Sequence, residues 1–142
     1  MGKKRIVSKG SSDSMKKSTG GKKSTKKRIS SGVLHVQATY NNTIVTLTDN
    51  KGNKVASSSS GSLGFRGAKK GTPFAAAKIG EVLSERAEQM GMQEVAVIIR
   101  GVGSGRESAV RSFVNSGITI SSIKDATPVP HNGPKPPKPR RI

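Results

Sequence analysis

The chain has 142 residues, and 26 Lys and Arg against 8 Asp and Glu give it a net charge of +18. The absence of cysteine excludes disulfides and thiolate metal sites, and no apolar run approaches the roughly 18–20 residues a membrane-spanning helix needs. Apolar residues make up 31% and aromatics 3%, low for a globular protein, which points to one folded domain carrying polar tails.

The charge is concentrated at the two ends. Residues 1–29 hold eleven basic side chains and one acid, Asp13, while residues 128–142 hold Lys135, Lys138, Arg140 and Arg141 with no acid. Between them, residues 30–127 hold eleven basic and seven acidic residues, a net of +4. The chain therefore divides into a basic arm (1–31), a domain (32–127) and a Pro-rich basic tail (128–142). Residues 8–31 are almost entirely Ser, Lys, Thr and Gly, too polar to offset their ordering entropy, so the free arm is expected to be disordered. Its lysines are followed by no apolar segment, so it does not read as a secretory signal, and a cytoplasmic protein is expected. Too few carboxylates exist to neutralise these arms from within. They need an external polyanion, and counterions released from phosphates supply much of the affinity. Nucleic acid is the expected partner.

In chain order, Leu34, Val36, Ala38 and Tyr40 alternate with His35, Gln37 and Thr39, the period of a strand. Asn41-Asn42 reads as a tight turn, and Thr43 to Thr48 as the hairpin partner. The turn cluster Asp49 to Asn53 precedes a weaker third strand, Lys54 to Ser60, completing an antiparallel meander. After a glycine-rich basic loop, 61–71, Thr72 and Pro73 are the cap and first position of a helix. Its inward stripe is Ile79, Val82, Leu83, Ala87 and Met90, and Gly91 stops it. Val95 to Ile99 is apolar throughout, as in a central strand covered on both faces. Loop 101–107 leads into a second helix with Ala109, Val110, Phe113 and Val114 inward. Ile118, Ile120 and Ile123 then mark a last strand. The order β-β-β-α-β-α-β predicts an α/β sandwich with a mixed five-stranded sheet whose β-α-β-α-β part is parallel.

Two loops carry the chemistry. In 101–107, alternate glycines leave a strand and meet a helix N-terminus, where free N–H groups favour an anion. An RNA phosphate, a free nucleotide and a structural turn are three readings of it, and Ser104 with Glu107 matches a capping box. A dinucleotide fingerprint is absent, since Arg106 occupies its third glycine position, and a Walker loop is absent for want of the final Gly-Lys-Ser/Thr. In 61–71, Phe65 stands among Arg66, Lys69 and Lys70. Phe65 either stacks on a base or plugs the helix end, while the cations suit phosphates. His35 and His131 offer no metal cluster. Asp49 and Asp125, near strand ends, could be imagined as a two-metal nuclease pair, but Asp49 reads better as a turn residue and a domain at +4 marks no carboxylate cluster. No catalytic residue, metal or cofactor is expected.

The motifs N-N-T-I-V-T (41–46), G-F-R-G-A-K-K-G-T-P-F-A-A (64–76), G-x-G-x-G-R-E-S (101–108), D-A-T-P-V-P-H-N-G (125–133) and P-P-K-P-R-R-I (136–142) stand in one register. Over about residues 29–142 the chain closely resembles the small-ribosomal-subunit protein eleven family, of bacterial or organellar type. It departs from the family in its longer N-terminal arm, in Pro134, and in Val102 and Ser104, which replace the two prolines of the usual G-P-G-P-G loop. The resemblance implies a ribonuclease-H-like sandwich without nuclease activity. It also implies a place on the small-subunit platform, bridging several rRNA helices and lining the cleft for the Shine–Dalgarno mRNA duplex. The implied neighbours are platform proteins six, seven, eighteen and twenty-one, with neither a membrane nor a homo-oligomer. The RNA contacts carried over are Asn41, Asn42, Phe65, Arg66, Lys69, Lys70, Gly103, Gly105, Arg106, His131, Asn132, Lys135, Lys138, Arg140 and Arg141. A DNA-compacting protein is the rival reading for the charge, and a nucleotide-dependent enzyme the rival for the 101–107 loop.

Overall fold

A computed structural model describes residues 28–139. Residues 1–27 of the basic arm, and Arg140 and Arg141, lie outside the described residues. Strands β1 (Ser31–Ala38), β2 (Thr43–Asp49) and β3 (Lys54–Ser59) are followed by helix α1 (Pro73–Gln89), strand β4 (Glu94–Arg100), helix α2 (Gly105–Val114) and strand β5 (Thr119–Asp125). The five strands form one sheet in the order β3-β2-β1-β4-β5. β1 pairs antiparallel with β2, as does β2 with β3, whereas β1–β4 and β4–β5 are parallel. This is the mixed α/β sandwich expected from the sequence.

Local chemistry accounts for the boundaries. Thr72 caps α1 by accepting a bond from the Ala75 N–H (3.4 Å), with Pro73 at the first helical position. Gly91 ends the helix at φ +78°, a left-handed conformation that favours glycine. The two helices pack closely on each other where Gly80 meets Ala109, and the Ser112 hydroxyl donates to the Ala77 carbonyl at 2.7 Å. Leu34, Val36, Leu47, Ile79, Leu83, Val95, Val97 and Phe113 are buried between helices and sheet. Burying such side chains supplies about 1.5–3 kcal/mol each before entropy is charged against it.

Three expectations need correction, and β5 stands where a last strand was expected. β1 stops at Ala38, and Tyr40 is 78% exposed at the hairpin tip rather than inward. The strand ends there because the Thr39 N–H bonds the Asn42 carbonyl (2.8 Å), closing the turn one residue before the Asn pair. β4 is covered on one face only. Both helices lie on the same side of the sheet, so Ala96 and Ile98 are only partly buried. In β5 a register shift follows Ile120, and Ile123 is left 62% exposed at the sheet edge. Ser104 makes no capping bond: its backbone is already helical, and its hydroxyl donates instead to the Gly71 carbonyl at 2.9 Å.

Candidate nucleic-acid interface

Strand direction decides where the loops meet. β1, β3, β4 and β5 run the same way and β2 runs against them. The hairpin tip after β1, the segment between β3 and α1, the loop between β4 and α2, and the tail after β5 must therefore share one end of the domain. In sheets of this kind the carboxyl ends of parallel strands are where ligands bind. Arg66, Lys69, Lys70, Arg100 and the tail's Lys135 and Lys138 stand at or beyond this end, and Arg66, Lys69 and Arg100 are exposed. Basic side chains are not confined to it: Arg28, Lys51, Lys54 and Arg86 stand toward the other end.

The end is interlocked. Gly71 lies against the Tyr40 carbonyl, Gly101 against the Ala38 carbonyl and Gly103 against the Thr39 carbonyl, each too near for a side chain to fit between. The Gly103 N–H donates to Ala38 O (3.1 Å), and a Cβ on Gly105 would stand 2.6 Å from Thr43 Oγ1. Gly103 and Gly105 are thus buried against the hairpin, while Val102 and Ser104 between and beside them face solvent. Asn42 Oδ1 and Thr43 Oγ1 are buried here without a hydrogen-bond partner among the described residues.

The 61–71 segment is an ordered stack rather than an open loop. Leu63 and Phe65 donate N–H bonds to the Ser59 and Ser60 carbonyls (both 3.2 Å), and Gly67–Gly71 forms a 3₁₀ turn. The Phe65 ring lies edge-on to Phe74, with centroids 6.1 Å apart and planes at 82°, and is partly buried. Arg66 and Lys69 project outward, and Lys70 is partly buried.

Arg106 ties the α2 start to the tail. Its guanidinium bonds the Gly101 carbonyl (2.9 Å) and the Asp125 carboxylate (2.5 Å), and it is 29% exposed. Asp125 also accepts bonds from the Thr127 hydroxyl (2.6 Å) and N–H (3.0 Å). These Thr127 and Arg106 bonds hold its carboxyl down at about 2. The Thr127 hydroxyl in turn accepts from the Gly101 N–H at 3.1 Å. Beyond it, His131, Asn132, Lys135 and Lys138 are exposed, and Asn132 adopts φ +51°.

Asp49 closes its own turn, accepting N–H bonds from Lys51 and Asn53 (2.9 Å each), and the Asn53 side-chain amide first, then these backbone bonds, lower its pKa. It ends a strand antiparallel to the one Asp125 ends, so the two carboxylates sit at opposite ends of the sheet. They cannot share a metal ion. Among the described residues no group of three or more His, Cys, Asp or Glu is placed to hold one, and no helix is long and apolar enough to cross a membrane. Tyr40 and Arg100 are exposed at this end too and are not among the candidates named from the sequence. A basic residue ending an otherwise apolar strand was the available signal for Arg100.

Residues 32–141 match the family described as Ribosomal protein S11. The chain belongs to that family. A curated relative, the small ribosomal subunit protein uS11 of Solibacter usitatus (strain Ellin6076), is 53% identical over 121 residues, covering 85% of this chain and 90% of the relative. Family membership makes the chain a small-subunit ribosomal protein, a ribonucleoprotein component that works in translation.

Proposed function

We propose that the loop end of the domain is its rRNA-binding surface, acting by charge neutralisation and shape fit rather than by bond-making chemistry. The observation that carries this reading is the convergence of the hairpin tip, the 61–71 segment, the 101–104 loop and the tail on one end. Asn41, Arg66 and Lys69 project there toward phosphates and sugars, with Asn42 and Lys70 partly buried beside them, while Gly103, Gly105 and Arg106 hold the surface in shape. His131, Asn132, Lys135, Lys138, Arg140 and Arg141 extend the contact along a groove too narrow for a folded element. Cations spread over loop and tail suit the bridging of several rRNA helices on the platform, beside the Shine–Dalgarno cleft and platform proteins six, seven, eighteen and twenty-one, in cytoplasmic ribosomes.

Because the chain lacks cysteine, a single introduced thiol is unique. Iron-chelate probes on Arg66→Cys and Lys51→Cys, each assembled into small subunits, test the assignment. Cleavage of rRNA in more than one helix from position 66, and little from position 51, is expected. Equal cleavage from both positions would contradict it.

A further inference from the structure

One exposed apolar surface does not belong to the loop end's basic face. Leu63, Phe65, Phe74 and Val82 line a groove along the first turns of α1, rimmed by Lys78, Glu81 and Glu85. Phe74 is 64% exposed, an unusual position for a phenylalanine. One Lys78 contact is with its ring, the ammonium lying 5.8 Å from the centroid, and the same ammonium pairs with Glu81 at 2.8 Å. Glu85 and Glu88 continue the exposed stripe down the helix, and neither has an ion-pair partner among the described residues. Elsewhere Asp49 is bound into its own turn, Asp125 is paired with Arg106, and Glu107 lies 3.9 Å from Arg111. Three of the body's seven carboxylates therefore share one helix face beside an aromatic groove.

Lys78 offsets Glu81 on that rim, and Glu85, with Glu88 one turn further, leaves the face net acidic, so its complement is both apolar and basic. We infer that this groove docks a Lys/Arg-rich segment of another small-subunit protein. A large apolar side chain of that segment seats between Phe65, Phe74 and Val82, and its cations meet Glu81 and Glu85. Phe65, placed among the RNA contacts by the sequence, serves this groove instead. The inference rests on the ribosomal reading and adds a protein-facing side to an RNA-facing end.

The test is a photo-crosslinking residue, p-benzoylphenylalanine, at position 74 of the full chain in purified small subunits, with the same residue at position 69 as a parallel probe. The position-74 probe is expected to join a Lys/Arg-rich segment of another ribosomal protein, identified by mass spectrometry. Adding E81K and E85K, both at exposed sites, should lower that yield by about fivefold to tenfold. Crosslinks to rRNA, to the chain's own N-terminal arm or to no polymer would overturn the inference. If position 69 reaches rRNA while position 74 misses protein, the groove assignment alone falls. A chain that fails to sediment with small subunits sinks both.

Discussion

Arg106 bonds the carboxylate of Asp125 across the gap between the start of α2 and the end of β5, and with its other terminal nitrogen it bonds the Gly101 carbonyl. The loop from Gly101 to the start of α2 is joined to the end of β5 by one guanidinium whose planar fork suits two acceptors at once. The tail thus leaves the domain in a fixed direction, from a point next to the glycine loop. Arg106 acts by positioning the glycine loop and the tail relative to each other.

The pair gives a pH prediction. Asp125 has its carboxyl lowered from 3.8 to about 2, first by the Thr127 hydroxyl and then by Arg106. A depressed carboxylate stabilises the fold fully above its ordinary value and loses that contribution as pH falls through the folded one. Thermal unfolding of Asp125→Asn and the parent should therefore differ by a constant amount from pH 5 to 7. The difference should shrink between about pH 4 and 2. A difference that grows on acidification would contradict the assigned bonds.

Gly101 combines φ +99° with direct contact to the Ala38 carbonyl. Gly101→Ala faces both strain and a clash and should destabilise the domain by about 2–4 kcal/mol, measurable by urea unfolding. A loss under about 0.5 kcal/mol would mean that the loop shifts freely off the hairpin.

Tyr40 presents an exposed ring at the hairpin tip, next to Asn41 and above the Gly71 contact. Aromatic side chains so placed stack on unpaired bases, at about 1–3 kcal/mol each. Tyr40→Ala should weaken rRNA binding about 5- to 100-fold at unchanged melting temperature, since its side chain supports no core contact. Unchanged affinity would remove Tyr40 from the interface.

Much of this architecture was legible because it depends on local periodicity. Alternation at Leu34, Val36 and Ala38, the Thr72-Pro73 start and the Gly91 stop each have a short-range cause. The misreadings have long-range causes. Alternation continues to Tyr40 in the sequence, but a hydrogen bond between Thr39 and Asn42 ends the strand first. Uniform apolarity in Val95 to Ile99 does not reveal that both helices lie on one side. The S-x-x-E pattern at Ser104 is blind to the Gly71 carbonyl, 33 residues away, which takes the hydroxyl. The loops' convergence follows from strand direction, which single motifs do not state.

If the loop end, and not overall charge alone, holds rRNA, removing its cations must change the salt dependence of binding more than removing cations elsewhere. The most direct test is the salt dependence of binding to small-subunit rRNA for two triple variants of the full chain. One removes Arg66, Lys69 and Lys70 as alanines, and the other removes Lys51, Lys54 and Arg86, which lie away from this end. Loss of phosphate contacts at the loop end should lower the slope of log affinity against log salt by up to about 2 to 3 in the first variant, and hardly at all in the second. Equal slopes in the two variants would contradict the assignment and leave only diffuse attraction by a +18 chain.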